Sequence, residues 1–216
     1  MHLRHLIPNF TKRYPFIGPT FWMLSIQYYV IQVVVAMAWQ IHYSLLRNTI
    51  SDLGNTVCSV YDKRFVCSPV HGIMNASFII LGITMVIGSV LIYGQFRKHA
   101  TNRVGFSFMS LAGLGTILVG LFPENSIRLL HLTGALLPFL LGNIGIILLG
   151  LSLDIPRNLR YYSIISGAIA LAALALFVTH NYLGLGIGGM ERIAAYPQTM
   201  WLIVFGIYAS RQARTQ

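Results

Sequence analysis

The sequence predicts an all-α, six-helix transmembrane bundle with both termini cytoplasmic. Three observations carry that prediction. First, 56% of the 216 residues are hydrophobic and only 9% are charged, with a mean hydropathy of +0.68; a soluble domain carries about a quarter charged residues. Second, six apolar runs occur at roughly 20–46, 72–95, 104–122, 132–152, 163–181 and 195–210, each near the length a helix needs to cross hydrocarbon. Third, the charges are unevenly placed. Arg4, Lys12, Arg13, Arg97, Lys98, Arg103, Arg157, Arg160, Arg211 and Arg214 fall on one side of these spans, with the single acid Asp154. Arg47, Lys63, Arg64, Arg128 and Arg192 fall on the other, with Asp52, Asp62, Glu124 and Glu191. The positive-inside rule then places the termini in the cytoplasm and loops one, three and five outside the cell membrane.

The alternating signature of an outer-membrane barrel is absent. The first run is too long for a removable signal peptide and no small-residue cleavage pattern follows it. A single membrane domain therefore accounts for residues 1–216. The net charge of +10 follows the topology and suits anionic lipid; nucleic acid is not required to explain it.

Residues 1–19 are basic and aromatic, and Pro8, Pro15 and Pro19 interrupt any helix there. Tyr14, Phe16 and Trp22 suit a membrane interface. The first span carries Gln27, Gln32 and Gln40, amides expected to face the bundle interior because lipid offers them no partner. It exits at Asn48-Thr49-Ile50-Ser51-Asp52-Leu53-Gly54-Asn55, where Ser51 and Asp52 either hold a turn or serve chemistry. The following loop contains the only cysteines, Cys58 and Cys67, and a disulfide between them is expected in an oxidising compartment.

The second span opens at His71, with Asn75 one turn on along the same face. Gly105, Gly113, Gly115 and Gly120 make the third span able to approach its neighbours closely. It ends at Phe122-Pro123-Glu124-Asn125, and His131 begins the fourth, where Pro138 and Gly142 predict a kink and Asn143 requires an internal partner. The fifth span is Ala/Leu packing that ends at Thr179-His180-Asn181. The spacing of Gly184, Gly186 and Gly189 matches G-x-G-x-x-G, but no strand precedes it; a tight loop over the bundle end is expected, not a dinucleotide site. Glu191, Arg192, Tyr196 and Trp201 lead into the last span.

His71, His131 and His180 thus begin or end three different spans at one depth, with Ser51, Asp52, Glu124, Asn125, Asn181, Glu191 and Arg192 in the same layer. Ionisable groups at membrane depth are costly and mark function. Two chemistries fit. The three histidines with a carboxylate such as Asp52 can hold zinc and an activated water, with Ser51, Glu124 or Glu191 moving protons. Alternatively, Asp52, Glu191 and Arg192 form a polar network that binds a headgroup or ties loops together.

Ile50-Ser51-Asp52-Leu53-Gly54, Phe122-Pro123-Glu124-Asn125 with His131, and Gly188-Gly189-Met190-Glu191-Arg192 with Tyr196-Pro197 and Trp201 resemble a family of archaeal and bacterial membrane proteins, catalogued as domain of unknown function 998. That resemblance implies six spans with the motifs grouped at one end, and implies no activity. The inventory of Ser51, Asp52, His71, His131 and His180 is also similar to that of the alkaline ceramidases, zinc-dependent membrane hydrolases, although those have seven spans and histidines paired one helical turn apart. The leading expectation is a membrane-embedded hydrolase acting on a lipid or amphiphile at the outward face. Here Asn48, Asn75, Asn125, Asn181, Arg192 and Tyr196 would contact the substrate. A non-enzymatic lipid-binding, sensing or transport protein and a purely structural bundle are the alternatives.

Overall fold

The computed structural model describes residues 11, 13–96 and 99–214. Arg4, Lys12, Arg97 and Lys98 of the charge pattern, with His2, His5 and Pro8, lie outside the described residues. Two short helices, α1 (Ile17–Met23) and α2 (Ile26–Met37), follow one another as a single apolar unit. A 3-10 turn spans Ser51–Gly54, and a small hairpin pairs β1 (Ser59–Tyr61) with β2 (Arg64–Val66) in antiparallel register, Val60 opposite Phe65. Then come α3 (His71–Tyr93), α4 (Ala100–Leu121), α5 (Arg128–Leu136), a π turn over Leu137–Gly142, α6 (Asn143–Ser152), α7 (Arg157–Val178) and α8 (Gly186–Gln212).

Among the described residues, five units are long and apolar enough to cross a membrane: Ile17–Met37, α3, α4, Arg128–Ser152 and α7. The protein is an integral membrane protein. The sixth unit, α8, carries Glu191 and Arg192 near its start, yet its middle is central to the core through fully buried Trp201, Leu202 and Phe205. Trp22 belongs to this core, not to the interface the sequence suggested. Its ring packs against Phe106, Trp201 and Phe205 at centroid distances of 6.0, 5.4 and 5.6 Å, and its indole N–H donates to the Met85 carbonyl at 3.3 Å. An indole buried with its polar atom satisfied is stable in an apolar core.

The small residues of the third expected span act as anticipated. A side chain at Gly113 would meet the Gly82 carbonyl at 2.7 Å, and one at Gly115 would meet the Gly134 carbonyl at 2.4 Å, so α4 lies directly on α3 and α5. Pro138 lacks an N–H, and the chain widens into a π turn there before α6 resumes. The Asn143 amide donates to the Phe139 carbonyl at 2.8 Å and the Ala194 carbonyl at 3.1 Å, tying this break to α8. Gln27 and Ser77 bond reciprocally, and Gln32 is buried beside Tyr196. Gln40 does not face the interior as expected: it lies beyond α2 and is exposed.

Two boundaries differ from the sequence expectation. The first helix stops at Met37, short of 46, and residues 38–50 are irregular. Of the expected loop glycines, Gly184 lies in a tight turn with φ 81°, but α8 starts at Gly186 and takes Gly188 and Gly189 into its first turn. The two departures have one cause. Carbonyls of the irregular segment accept hydrogen bonds from the start of α8, a pairing that local apolarity does not encode.

Candidate functional site

The irregular segment 38–50 exposes backbone groups that an apolar environment does not satisfy. The start of α8 satisfies them. The Gly188 N–H donates to the Leu46 carbonyl at 2.9 Å, and the Arg192 guanidinium Nη1 donates to the carbonyls of Leu45, Asn48 and Gly188, each at 2.8 Å. Arg192 Nη2 bonds to the Tyr43 hydroxyl, and that hydroxyl donates to the Thr49 carbonyl at 2.8 Å. Contact this close excludes side chains from the helix face. A Cβ at Gly188 would sit 2.1 Å from the Asn48 carbonyl oxygen. Gly186 adds a positive φ of 69°, a conformation glycine adopts without strain.

This scaffold presents the Ser51–Gly54 turn. Asp52 is fully buried, and its Oδ2 accepts from the Asn48 amide at 3.1 Å and the Thr49 N–H at 3.0 Å. Arg64 completes the site as a fork, Nε to Oδ2 and Nη2 to Oδ1, both at 2.9 Å. The hairpin delivers Arg64: Asp62 and Lys63 adopt the left-handed φ values, 46° and 65°, that a tight two-residue turn requires. The Cys58–Cys67 disulfide forms as expected and closes the hairpin's base. Burial alone would raise the Asp52 carboxyl, but the Arg64 guanidinium outweighs it and holds the group below its ordinary value, as a carboxylate.

Glu124 has the opposite balance. It is buried beside Asp52, accepts a 3.1 Å bond from the Asn55 amide, and its own carbonyl accepts from the Tyr61 hydroxyl at 2.9 Å. Burial and the neighbouring Asp52 carboxylate push it up to about 9, so it is a neutral acid at pH 7.

Ser51 and His131 meet from opposite sides of the bundle end. His131 Nδ1 lies 2.8 Å from the Phe122 carbonyl oxygen, which can only accept, so Nδ1 carries the proton. Nε2 is left as an acceptor 3.1 Å from Ser51 Oγ. Glu191 Oε1 lies 3.5 Å from the same Oγ, and Glu191 Oε2 accepts the Ile50 N–H. A hydroxyl, a correctly tautomerised imidazole and an orienting acceptor behind that imidazole are the parts of a serine nucleophile with its base.

Two cavities meet at this point. A cleft of about 200 Å³ is lined by polar groups that include Arg64, Arg128, Glu124, His131, His180 and Tyr182. An inner cavity of about 40 Å³ lies deeper, among Phe78, Leu81, Met85 and Val119. Ser51 and Glu191 line both, with Ala135 and Phe139. The serine therefore stands between a polar entrance and an apolar interior.

Among the expected site residues, Ser51, Glu124, His131, His180 and Glu191 share the cleft, and Asp52 and Asn48 support it. The others are elsewhere. Asn75 donates to the Gly54 carbonyl at 2.9 Å, Asn125 bonds Thr56 at 2.9 Å on the surface, and Asn181 is exposed at the end of α7. Arg192 and Tyr196 face a separate groove on the far side of α8. The expected zinc ligand set is not assembled: His71 Nδ1 faces the Ser68 carbonyl at 3.0 Å and His180 Nδ1 faces the Tyr182 hydroxyl at 2.9 Å, while both nitrogens of His131 are engaged as above. No group of three His, Cys, Asp or Glu among the described residues has metal-binding geometry. Arg64, Asn55 and Tyr43 were missed from sequence. A hairpin reading of Cys58 to Cys67 would have returned Arg64 to Asp52; nothing local marks Tyr43 or Asn55.

No curated protein and no solved structure matches the chain. A family described as protein of unknown function (DUF998) matches residues 23–208. Its span takes in the Ser51–Asp52 turn, the Glu124–His131 connection and the start of α8, and the chain belongs to that family.

Proposed function

We propose that the protein is a metal-independent, membrane-embedded serine hydrolase that cleaves an ester or amide of a lipid or other amphiphile at the extracytoplasmic face. The observation that carries the reading is the 3.1 Å approach of Ser51 Oγ to His131 Nε2, with Nδ1 anchored on the Phe122 carbonyl. Ser51 Oγ attacks the acyl carbon while its proton passes to His131 Nε2; the imidazolium then protonates the leaving alcohol or amine as its bond to the acyl carbon breaks. Water, deprotonated by the same nitrogen, releases the acid from the acyl-serine. The polar cleft suits a headgroup and the apolar inner cavity suits the start of a chain. The basic bias of the N-terminus, two connecting loops and the C-terminus supports α8 as a sixth span, cytoplasmic ends in the cell membrane and an outward-facing site.

The test is turnover of acyl esters and N-acyl amides by protein in proteoliposomes. Hydrolysis that falls at least about 100-fold in Ser51→Ala and in His131→Gln supports the proposal; hydrolysis retained by Ser51→Ala refutes it. The lateral groove favours a second reading, non-enzymatic lipid binding. Lipid retention without turnover of any ester or amide selects that reading.

A further inference from the structure

On the side of α8 away from Ser51 lies a groove of about 580 Å³, between α2, residues 39–45 and the start of α8. Small-molecule sites fall between roughly 300 and 1,000 Å³. Its rim is apolar and open: Val33 is 59% exposed, Met37 81% and Ile41 55%. Val33 and Met37 sit on a unit apolar enough to cross a membrane, with Ile41 in the irregular segment just beyond it, so the opening faces lipid tails. An apolar groove alone would call for nothing more than bulk lipid.

The groove's inner wall is different. Arg192 is only 7% exposed, and no carboxylate oxygen lies within 4 Å of it among the described residues. Its Nη atoms are used by backbone carbonyls and Tyr43, but its Nε–H has no hydrogen-bond partner among the described residues. Trp39, also on this wall, has a buried indole N–H without a partner. Both residues pack on one ring, that of Tyr43: Trp39 at 4.8 Å between centroids and the Arg192 guanidinium carbon at 5.6 Å. The buried Arg192 cation thus keeps one donor unused, with one further unused donor on Trp39 beside it, and an anion can complete both.

We propose that this groove is a binding site for one anionic membrane lipid, its acyl chain along Val33, Ala36 and Met37 and a phosphate oxygen on the Arg192 and Trp39 N–H groups. Guanidinium and indole N–H groups are donors only, so the headgroup must supply acceptors; the cation selects a charged one. Both N–H groups are buried in the groove's wall, so binding turns them toward the headgroup. The site is independent of the Ser51 chemistry and stands if that reading fails.

The test is native mass spectrometry of the full chain released from nanodiscs that contain equal dioleoyl phosphatidate and dioleoylglycerol, lipids with the same tails and different heads. One phosphatidate per chain, retained roughly ten-fold over diacylglycerol, is expected. Val33→Trp with Ala36→Trp should fill the groove and lower phosphatidate retention by a similar factor without changing the melting temperature. Trp39→Phe should lower phosphatidate retention and leave diacylglycerol unchanged; it decides the matter alone if the filled variant does not fold. Equal retention of both lipids, unchanged retention in the folded groove-filled variant, or displacement of phosphatidate by millimolar inorganic phosphate would overturn the proposal.

Discussion

Removing the Arg64 fork tests the electrostatic frame of the site. In Arg64→Leu, the fully buried Asp52 carboxylate keeps the Asn48 and Thr49 donors and the neighbouring Glu124 carboxyl but loses both charged bonds of 2.9 Å. Breaking a buried pair on one side costs about 3–5 kcal/mol. Arg64 retains 17% side-chain exposure, so the low end applies, about 3 kcal/mol. Asp52→Asn leaves Arg64 with solvent and with Asp62 at 3.1 Å, and costs less, about 1–2 kcal/mol. The double variant removes cation and anion together, so its cost falls short of the sum by about 2 kcal/mol. Reversible unfolding in mixed micelles, followed by circular dichroism, measures all four corners of the cycle. A coupling under about 0.5 kcal/mol would refute the fork as the element that holds the Ser51–Gly54 turn.

Further outcomes follow from the same geometry. Gly188→Ala places a Cβ against the Asn48 carbonyl, and should destabilise by about 1–3 kcal/mol while speeding hydrogen exchange across residues 44–52; unchanged exchange there contradicts the scaffold role of α8. Glu124 titrates near 9 when folded and near its ordinary value when unfolded, so between those values the unfolded state binds fewer protons and stability falls as pH rises, by up to about 1.4 kcal/mol per unit. Asp52, held low, acts oppositely: its contribution is present above its ordinary value and is lost as pH falls through its lowered one. Glu124→Gln should flatten the decline between pH 5 and 9, and a variant with the wild-type slope would show that Glu124 is not the titrating group.

What the sequence disclosed divides along local and non-local lines. The apolar runs behind α3, α4, the Arg128–Ser152 unit and α7 are local and were legible with only their ends displaced. The Ser51–Asp52 turn, Glu124, His131 and Glu191 were legible because ionisable groups are so scarce in this chain that each stands out. The irregular segment after Met37 was not legible, since its hydrogen-bond donors are Gly188 and Arg192, more than 140 residues on. Arg64 was counted only as a topology charge because its role depends on the hairpin turn at Asp62–Lys63. Three histidines at one depth suggest a shared ion, but helix azimuth, which depth does not fix, gives each a different hydrogen-bond partner.

The central claim, a nucleophilic Ser51 activated by His131, is tested most directly by a lipid-tailed fluorophosphonate. Its phosphorus takes the Ser51 oxygen and loses fluoride, and the serine proton passes to His131. Peptide mass spectrometry of the labelled protein is predicted to locate one adduct, on Ser51, formed at least about 100-fold more slowly in His131→Gln. No adduct on Ser51, or labelling of Ser51 at the same rate without His131, would contradict the account.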